Sequence, residues 1–259
     1  MYSFIIYLCL SVITVHGGVL VDIEERVYEG FRYDPVRHGF MVLLGKLRSS
    51  SPEDYKDSCT GSILDENWVI SAGHCFLENV TDVPIIQRIR RRERRVGYVL
   101  KRDIHMHPRY IESGEAWQYD LALLKTQSPI QFDAYAKPIA LAWSTGSGQK
   151  ALFGGYGHSE LGSGIPLMGT AVLEDECLAP FSRPGGAFFC TRSSSQGGPG
   201  DSGGPLFTNE GLIGIMLGGE PDIRESLFLD LSLQFYWIEK VSGLYPLHSA
   251  EVYPDCLYH

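Results

Sequence analysis

The sequence predicts a mostly β protein. Its 259 residues include 29 glycines and 14 prolines, as expected of a chain with many turns, and 44% of the residues are hydrophobic, enough to supply a core. From residue 27 onward, short apolar runs alternate with turn residues, which is the pattern of consecutive strands. The length suits one large domain or two small ones.

The apolar runs form two sets of strands with a connection between them. The first set is predicted at residues 40–44, 63–71, 96–101 and 121–125. The proline-containing segment 128–138 is interpreted as the crossover between the two halves. The second set is predicted at residues 151–155, 169–173, 205–208, 212–217 and 227–231. A C-terminal helix is predicted at residues 235–241, where Trp237 and Ile238 supply apolar side chains.

Three short motifs carry groups that can act together in catalysis. The sequence Gly-Asp-Ser-Gly-Gly-Pro-Leu at residues 200–206 places Ser202 in a glycine-rich turn, whose backbone N–H groups can bind a developing oxyanion. His74 lies in Ser-Ala-Gly-His-Cys, and Asp120 lies in Tyr-Asp-Leu-Ala-Leu-Leu. A serine hydroxyl is a poor nucleophile until a base removes its proton, and a carboxylate can orient that base.

The order His, Asp, Ser and the local sequences resemble the chymotrypsin/trypsin-like serine endopeptidases, since other Ser-His-Asp hydrolases use other orders. The resemblance covers about residues 27–242. It implies an all-β fold of two antiparallel β-barrels, at residues 27–135 and 136–242, with the C-terminal helix in the second unit and a tail at 243–259. It further implies that His74, Asp120 and Ser202 are the catalytic residues, and that the N–H groups of Gly200 and Ser202 form the oxyanion hole.

Residues 1–17 are interpreted as a signal peptide, because a short apolar run from Phe4 to Val15 precedes small residues around a cleavage point after Gly17. The alternatives are a retained anchor and an interior strand. The run is shorter than the roughly 20 residues that a membrane span needs. We therefore expect a secreted, extracellular protein.

Residues 18–26 resemble the activation propeptide of the family, with cleavage after Arg26 and Val27 as the new N-terminus. The two residues after Val27 depart from the family pattern, and the alternative is that Arg26 is simply an exposed charge. The resemblance implies that the freed ammonium pairs with Asp201, because a buried carboxylate without a partner is costly. This pairing would order the oxyanion loop, so the uncut chain is expected to be a nearly inactive zymogen.

Six cysteines suit a secreted protein, and one of them, Cys9, lies in the signal segment. The resemblance implies two disulfides, Cys59–Cys75 and Cys177–Cys190. Two other family bridges have lost both partners, at Ala151 with Thr208 and at Gly198 with Ile223. Cys256 is left over in the tail, either free or paired between chains.

The family's substrate pocket has Gln196 and Gly197 at its base in this chain, and neither is acidic, so a strong preference for Lys or Arg is not expected. The other wall positions are Leu217, Gly218, Gly219 and Ser226. Leu217 lacks the hydroxyl that usually steadies the catalytic aspartate, and Gly218 removes an aromatic shelf for the substrate. Glu220 and Asp222 add negative charge near the rim. We expect a neutral, open pocket with weak or unusual substrate selection.

Two accessory features leave alternatives open. Asn79-Val80-Thr81 is an N-glycosylation sequon, which a secreted chain can use or leave unmodified. Residues 88–95 contain six arginines, too many charges for a core. The favoured interpretation of this run is a solvated loop, and the alternatives are a contact with a polyanion and a second processing site.

The formal net charge of −9 argues against nucleic acid as a partner. No metal or cofactor is expected, because the sequence has neither HExxH nor CxxC and no phosphate-binding loop. The expected partners are a protein or peptide substrate, an activating trypsin-like protease and a protein inhibitor, for a monomer that does not bind membranes. The leading hypothesis is a secreted serine endopeptidase. The alternative is a protease-like binding or regulatory protein with little or no turnover.

Overall fold

The computed structural model describes residues 30–45, 58–77, 80–90, 92–113, 116–159, 162–178 and 187–246. The predictions of a signal peptide, of cleavage between Arg26 and Val27, of a glycan on Asn79 and of the state of Cys256 lie outside these residues.

Within the described ranges the chain forms sixteen β-strands and two α-helices. The strands of the first half are β1 Phe31–Arg32, β2 Met41–Leu44, β3 Cys59–Ile63, β4 Trp68–Ser71, β5 Val83–Ile89, β6 Arg92–Val99, β7 Ile104–Met106 and β8 Ala122–Lys125. Those of the second half are β9 Lys150–Gly155, β10 His158–Ser159, β11 Gly162–Ser163, β12 Leu167–Glu174, β13 Phe188–Arg192, β14 Pro205–Phe207, β15 Leu212–Glu220 and β16 Glu225–Asp230. The helices are α1 Pro108–Ser113 and α2 Phe235–Ser242.

Six strands of the second half close into an antiparallel barrel. Their order is β12, β13, β16, β15, β14 and β9, and β9 pairs again with β12 to complete the ring. Strand β1 adds to the same sheet, with Phe31 opposite Met168 and Arg32 opposite Leu167. The structure therefore places residues 31–32 in the second unit, although the sequence analysis assigned them to the first. A pairing between such distant segments leaves no local pattern in the sequence.

The first half forms a half-barrel in the order β6, β5, β2, β3, β4, β8 and β7. Its two terminal strands are consecutive in the chain, so the 3-10 turn Lys101–Asp103 joins them. Beside this junction the Gln127 N–H donates to the Tyr98 carbonyl at 2.8 Å. The predicted all-β fold of two barrels with a C-terminal helix is confirmed, with one barrel closed and the other a half-barrel.

Most predicted strands coincide with observed ones, but the run at 63–71 and the arginine run do not. Residues 63–71 hold the end of β3, a turn and β4, and the rest of β3 was missed because it lacks large apolar side chains. The arginine run was expected to be a loop, and this is wrong. It forms the end of β5 and the start of β6, which pair from Val83↔Val99 to Ile89↔Arg92. Val83, Ile85 and Gln87 alternate into the interior and hold the hairpin to the sheet.

Helix α2 returns the chain to the first half. The Gln234 amide donates to the Gln118 carbonyl at 2.9 Å, and the Trp237 ring lies 4.9 Å from the ring of His107. The helix ends at Gly243, whose φ of 76° allows its N–H to bond to the Glu239 carbonyl. Together, β1 and α2 hold the two halves against each other. Among the described helices, none has the length and apolar content needed to cross a membrane.

The interior of the closed barrel depends on close aromatic packing. Phe153 on β9 is fully buried, with its ring 5.5 Å from that of Phe228 on β16. Gly169 on β12 gives it space, because a Cβ there would lie 2.6 Å from the Phe153 Cε1. Val172, on the same strand β12, is 44% exposed on the outer surface.

We expect Phe153→Ala to lower the free energy of unfolding by about 3–5 kcal/mol, because the removed ring leaves a cavity that rigid strands cannot fill. The matched control Val172→Ala should change it by less than about 1 kcal/mol, since Val172 is 44% exposed and loses less burial. Urea unfolding followed by tryptophan fluorescence measures both. Equal losses in the two variants would contradict the assignment of Phe153 to the core.

Candidate active site

His74 and Asp120 meet at the ends of two short turns. His74 lies in the 3-10 turn Gly73–Phe76 after β4, and Asp120 follows the 3-10 turn Ala116–Tyr119 before β8. The His74 backbone N–H donates to Asp120 Oδ1 at 2.7 Å, and its Nδ1 lies 2.7 Å from Oδ2. The Asp120 side chain is 2% exposed and that of His74 is 31% exposed. Because Nδ1–H donates to the carboxylate, Nε2 keeps its lone pair and can accept a proton.

Ser202 lies in a tight turn with an unusual backbone. Gly200 and Gly203 on either side have φ values of 95° and 79°, in the region that side chains disfavour. The Asp201 N–H bonds to the Gly198 carbonyl at 3.1 Å, and the Gly204 N–H bonds to the Asp201 carbonyl at 2.8 Å. These bonds hold Ser202 at the tip of a compact loop, as the motif predicted.

The serine loop packs directly on the segment that leads to His74. A Cβ on Gly203 would overlap the Ser71 hydroxyl and would lie 2.7 Å from the Ala72 backbone nitrogen. The Ser202 carbonyl oxygen lies 4.0 Å from Cys75 Sγ. The fold therefore brings together the three motifs, which are far apart in the sequence. Among the described contacts, no hydrogen bond joins the Ser202 hydroxyl to the His74 ring, and such bonds are commonly long in sites without substrate.

Thr60 on β3 holds the serine loop in place, and sequence reasoning missed it. Its N–H donates to the Ser202 carbonyl at 2.9 Å, and its hydroxyl donates to the Gly200 carbonyl at 3.0 Å. The same hydroxyl accepts the Tyr156 N–H at 2.9 Å. A threonine after a bridging cysteine carries no chemical signal of such a role, because the role exists only once β3 meets the second barrel.

The backbone N–H groups of Gly200 and Ser202 remain available for a ligand. Neither donates to any of the residues that the structure describes. Because the Gly200 carbonyl is bonded to Thr60, the orientation of the neighbouring peptide groups is constrained. Two adjacent free donors beside a serine can bind a developing negative charge.

Asp201 is buried beneath the loop, with 4% of its surface exposed. Its carboxylate accepts the Gly157 N–H at 2.7 Å and the Gly198 N–H at 2.9 Å. Burial raises its pKa to about 6, and these two hydrogen bonds offset part of the rise. No positively charged group of the described chain lies within ion-pair distance of it. Among the described residues, the Asp201 carboxylate is therefore stabilised by two backbone donors and by no positive charge.

The two implied disulfides are confirmed. Cys59 is bonded to Cys75 and Cys177 to Cys190, with Cα atoms 6.3 and 5.4 Å apart. The first bridge joins β3 to the turn that carries His74. Its two sulfurs and a ring nitrogen of His74 lie within 4.8 Å of one another, but sulfurs joined in a disulfide cannot act as thiolate ligands.

The positions of one lost family bridge, Ala151 and Thr208, both line a single cavity of about 650 Å³ on the second barrel. This placement fits the interpretation that the two positions face each other.

The predicted pocket residues come together, but the pocket is not open as expected. Gly197 donates its N–H to the Ser226 hydroxyl at 3.0 Å, and Ser226 is paired with Gly219 in the sheet. A Cβ on Gly219 would overlap the Gly197 carbonyl oxygen, so the two walls are in backbone contact. The two glycines at the contact allow this approach. Gly198 provides no cysteine, so no bridge fixes the separation of the two walls at the rim.

Met216 fills the space beside the pocket base, and the sequence analysis did not identify it. It is buried, and a Cβ on Gly197 would overlap its sulfur. Gln196 at the base is also buried and is uncharged. Leu217 is buried in the core, and among the described residues the Asp120 carboxylate accepts its two hydrogen bonds from His74. The structure therefore shows a neutral pocket whose walls are closed together.

Comparisons with known proteins agree with this geometry. The family model described as Trypsin matches residues 28–231. Serine proteinase stubble of Drosophila melanogaster is 32% identical over 174 residues, which is 57% of this chain and 21% of that protein. Trypsin 5G1 of Aedes aegypti is 26% identical over 243 residues, 85% of this chain and 86% of that one. Trypsin-1 of Salmo salar is 28% identical over 176 residues, 62% and 70% of the two chains.

The chain therefore belongs to the trypsin family. As a member of this family it is a serine-type endopeptidase, a class that acts on proteins or peptides. The match to the stubble proteinase covers about a fifth of that protein.

We expect the uncut chain to lose stability as the pH rises from about 4 to about 6. The native state holds the Asp201 proton with a pKa of about 6, whereas an aspartate in the unfolded chain titrates near 3.8. The contribution of protonated Asp201 to the free energy of unfolding is therefore complete below pH 3.8 and is lost above pH 6. A pKa difference of about two units between the two states corresponds to on the order of 3 kcal/mol.

Urea unfolding between pH 4 and pH 7 measures this dependence. The Arg26→Gln chain, which stays uncut at that position, is compared with Arg26→Gln/Asp201→Asn, which lacks the carboxyl. The difference between their pH slopes isolates Asp201 from the other titrating groups. Identical slopes would show that Asp201 is not a buried, proton-binding carboxyl.

We expect Gly203→Ala to destabilise the protein by roughly twice as much as Gly146→Ala, or more. Both glycines have positive φ, 79° and 84°, so each substitution carries a strain of about 1–2 kcal/mol. A Cβ on Gly146 meets nothing within 4 Å, whereas one on Gly203 overlaps atoms of Ser71 and Thr60. Unfolding free energies in urea compare the two. Equal costs would mean that the serine loop does not pack on the His74 segment.

Proposed function

We propose that this protein is a secreted serine endopeptidase, made as a zymogen and activated by cleavage after Arg26. The observation that carries the proposal is the His74–Asp120 pair beside the Ser202 loop, with two adjacent N–H donors that have no partner among the described residues. This arrangement supplies a nucleophile, an oriented base and an oxyanion site together.

In the proposed reaction, His74 Nε2 takes the proton of the Ser202 hydroxyl while Oγ attacks the carbonyl carbon of the peptide bond. The N–H groups of Gly200 and Ser202 stabilise the oxyanion of the tetrahedral intermediate. The imidazolium then protonates the leaving amine, and water hydrolyses the acyl-enzyme by the reverse sequence of proton transfers. Asp120 holds the reactive tautomer and stabilises the imidazolium, because both of its oxygens are bonded to His74.

The buried carboxylate of Asp201 supports activation by a new N-terminus. Phe31 lies opposite Met168 on β12, and Met168 lies opposite Gly154 on β9. The next residue, Gly155, packs against the Asp201 carboxylate so closely that a Cβ would overlap it. Val27 is four residues from Phe31, a reach of up to about 14 Å in an extended chain. Its ammonium would supply the positive charge that Asp201 lacks among its described neighbours.

Substrate selection would follow from a pocket that must open. In this structure Gly197 and Gly219 are in contact and Met216 packs beside them, so no side chain fits between the walls. Asp201 is bonded to Gly198, the neighbour of Gly197. We therefore propose that pairing of Asp201 with the Val27 ammonium moves this segment and separates the walls. The uncharged Gln196 at the base would then favour uncharged side chains over Lys and Arg.

A protease-like binding or regulatory protein is the second candidate function. The contact between the pocket walls favours it, as do Leu217 and Gly218, which replace groups that usually support Asp120 and the substrate. In that case the folded site would be retained as a scaffold, and a partner would bind the surface without being cleaved.

Cleavage after Arg26, verified by sequencing of the new N-terminus, should produce turnover of a mixed peptide library and covalent labelling by a small organophosphonate. Ser202→Ala should remove both, because it removes the attacking oxygen. Mass spectrometry of the labelled protein and of the cleaved peptides measures the two effects.

The matched control is Ser232→Ala, which removes a hydroxyl outside the three motifs and should leave both readouts unchanged. Turnover by Ser202→Ala would mean that the nucleophile is assigned wrongly. If the chain that starts at Val27 neither labels nor cleaves, the endopeptidase proposal fails and the binding protein is favoured.

A further inference from the structure

The hairpin of β5 and β6, residues 83–99, concentrates positive charge in a chain whose formal net charge is −9. Its described arginines are Arg88, Arg90, Arg92, Arg94 and Arg95, and its acidic residue is Glu93. We call residues 83–99 the arginine hairpin. No step of the proposed catalysis uses it.

Two of these arginines have partners that hold the hairpin. Arg88 is paired with Glu93 across the two strands. Arg94 is bonded to Asp133 at 2.6 Å, and this hydrogen bond is the main reason that the pKa of Asp133 falls to about 2. These pairs show that carboxylates fit the arginines at this surface.

The other three arginines point into solvent. Arg90, at the turn, and Arg92 and Arg95, on β6, are exposed. No carboxylate in the described part of the chain lies within ion-pair distance of them. The guanidinium carbon of Arg95 lies 5.9 Å from the centre of the Tyr98 ring, which orients this side chain along the strand. Three charges therefore remain available to an anionic partner.

The outer edge of β6 is not paired with another described strand. β6 is the last strand of its sheet and pairs with β5. From the described segments other than β5, one backbone hydrogen bond reaches it, between the Gln127 N–H and the Tyr98 carbonyl at 2.8 Å. In an edge strand the N–H and C=O groups of alternate residues point away from the neighbouring strand, so a further strand can bind along the outer edge of β6.

A groove runs beside this edge and has room for a chain. It is a cavity of about 470 Å³ between residues 95–98 of β6 and residues 127–129. Both apolar and polar side chains line it, among them Val96 and Tyr98 and also Arg95 and Gln127. An extended peptide placed here would have the open strand on one side and arginines around it.

We propose that the arginine hairpin binds an extended acidic segment of a partner protein, which adds to the outer edge of β6 as an antiparallel or parallel strand. Main-chain hydrogen bonds would bind the segment along the edge of β6. The arginines would select Asp and Glu side chains through charge-assisted hydrogen bonds. A sulfated polysaccharide would use the charges but not the row of N–H and C=O groups, so the open edge favours a peptide. The proposal holds for either candidate function, because it does not involve Ser202.

The test uses the full chain with Ser202→Ala, which prevents digestion of the probe, and fluorescein-labelled octa-glutamate, which is as long as β6. Fluorescence anisotropy should show saturable binding, and octa-glutamine should not bind. Arg92→Gln/Arg95→Gln should weaken binding by about tenfold, since two exposed charge pairs are removed. The matched control Arg32→Gln/Arg102→Gln removes two exposed arginines outside the hairpin and should change the affinity less than about twofold.

A second pair of probes separates strand addition from simple charge attraction. Octa-glutamate N-methylated at alternate amides keeps every carboxylate and one full row of donors, whereas octa-glutamate N-methylated at every amide keeps the carboxylates and no donor. The first should bind and the second should not, because an added strand turns a single row of donors toward β6. Equal affinity of both methylated probes would overturn the proposal.

Two further outcomes would also overturn it. Binding of a heparin-type sulfated oligosaccharide with no binding of octa-glutamate would assign the hairpin to a polysaccharide. Failure of octa-glutamate to bind, together with self-association of Arg92→Gln/Arg95→Gln in analytical ultracentrifugation, would show that these arginines merely protect an edge strand from pairing with another copy.

Discussion

The arrangement of the site depends on the contact between the serine loop and strand β3 of the half-barrel, and Thr60 is the residue at that contact. It bonds to the carbonyls of Ser202 and Gly200 and accepts the Tyr156 N–H, so three hydrogen bonds at one residue join β3 to the second barrel. Gly203 lies on the same contact, where any side chain would overlap atoms of Thr60 and Ser71. The contact combines one backbone hydrogen bond with two made by the Thr60 hydroxyl, and it positions Ser202 next to the His74 turn within narrow limits.

Asp201 links this contact to the substrate pocket. Its carboxylate receives N–H groups from Gly157, next to Tyr156, and from Gly198, next to the pocket base. A buried carboxylate with two donors and no described cation is an unsatisfied charge, and its protonation or pairing changes the forces on both segments. The closed contact between Gly197 and Gly219 is the other end of this connection, since Gly198 stands where the family has a bridge that would hold the rim. The oxyanion donors and the pocket walls are therefore expected to move together.

Chemistry that is encoded in short motifs was predictable from the sequence. The serine, histidine and aspartate motifs identified the three residues that the structure brings together, and the family resemblance implied both disulfides that are observed. The arginine run was misinterpreted because charge density alone favours a loop, whereas the alternation of Val83, Ile85 and Gln87 into the core holds it in a sheet. The pocket was expected to be open because small residues were equated with space, but glycines also let two backbones touch.

The sequence by itself determined the all-β class and the family, and it supplied the candidate reactive groups, because these follow from residue types within a few positions of one another. The tertiary structure alone decided three matters: that Thr60 joins the two halves, that Met216 and two glycines close the pocket, and that β6 leaves an open edge lined with arginine. Each of these depends on segments that are distant in the chain. A local pattern records which side chains are present, whereas the distance between two backbones is set only when the sheets pack.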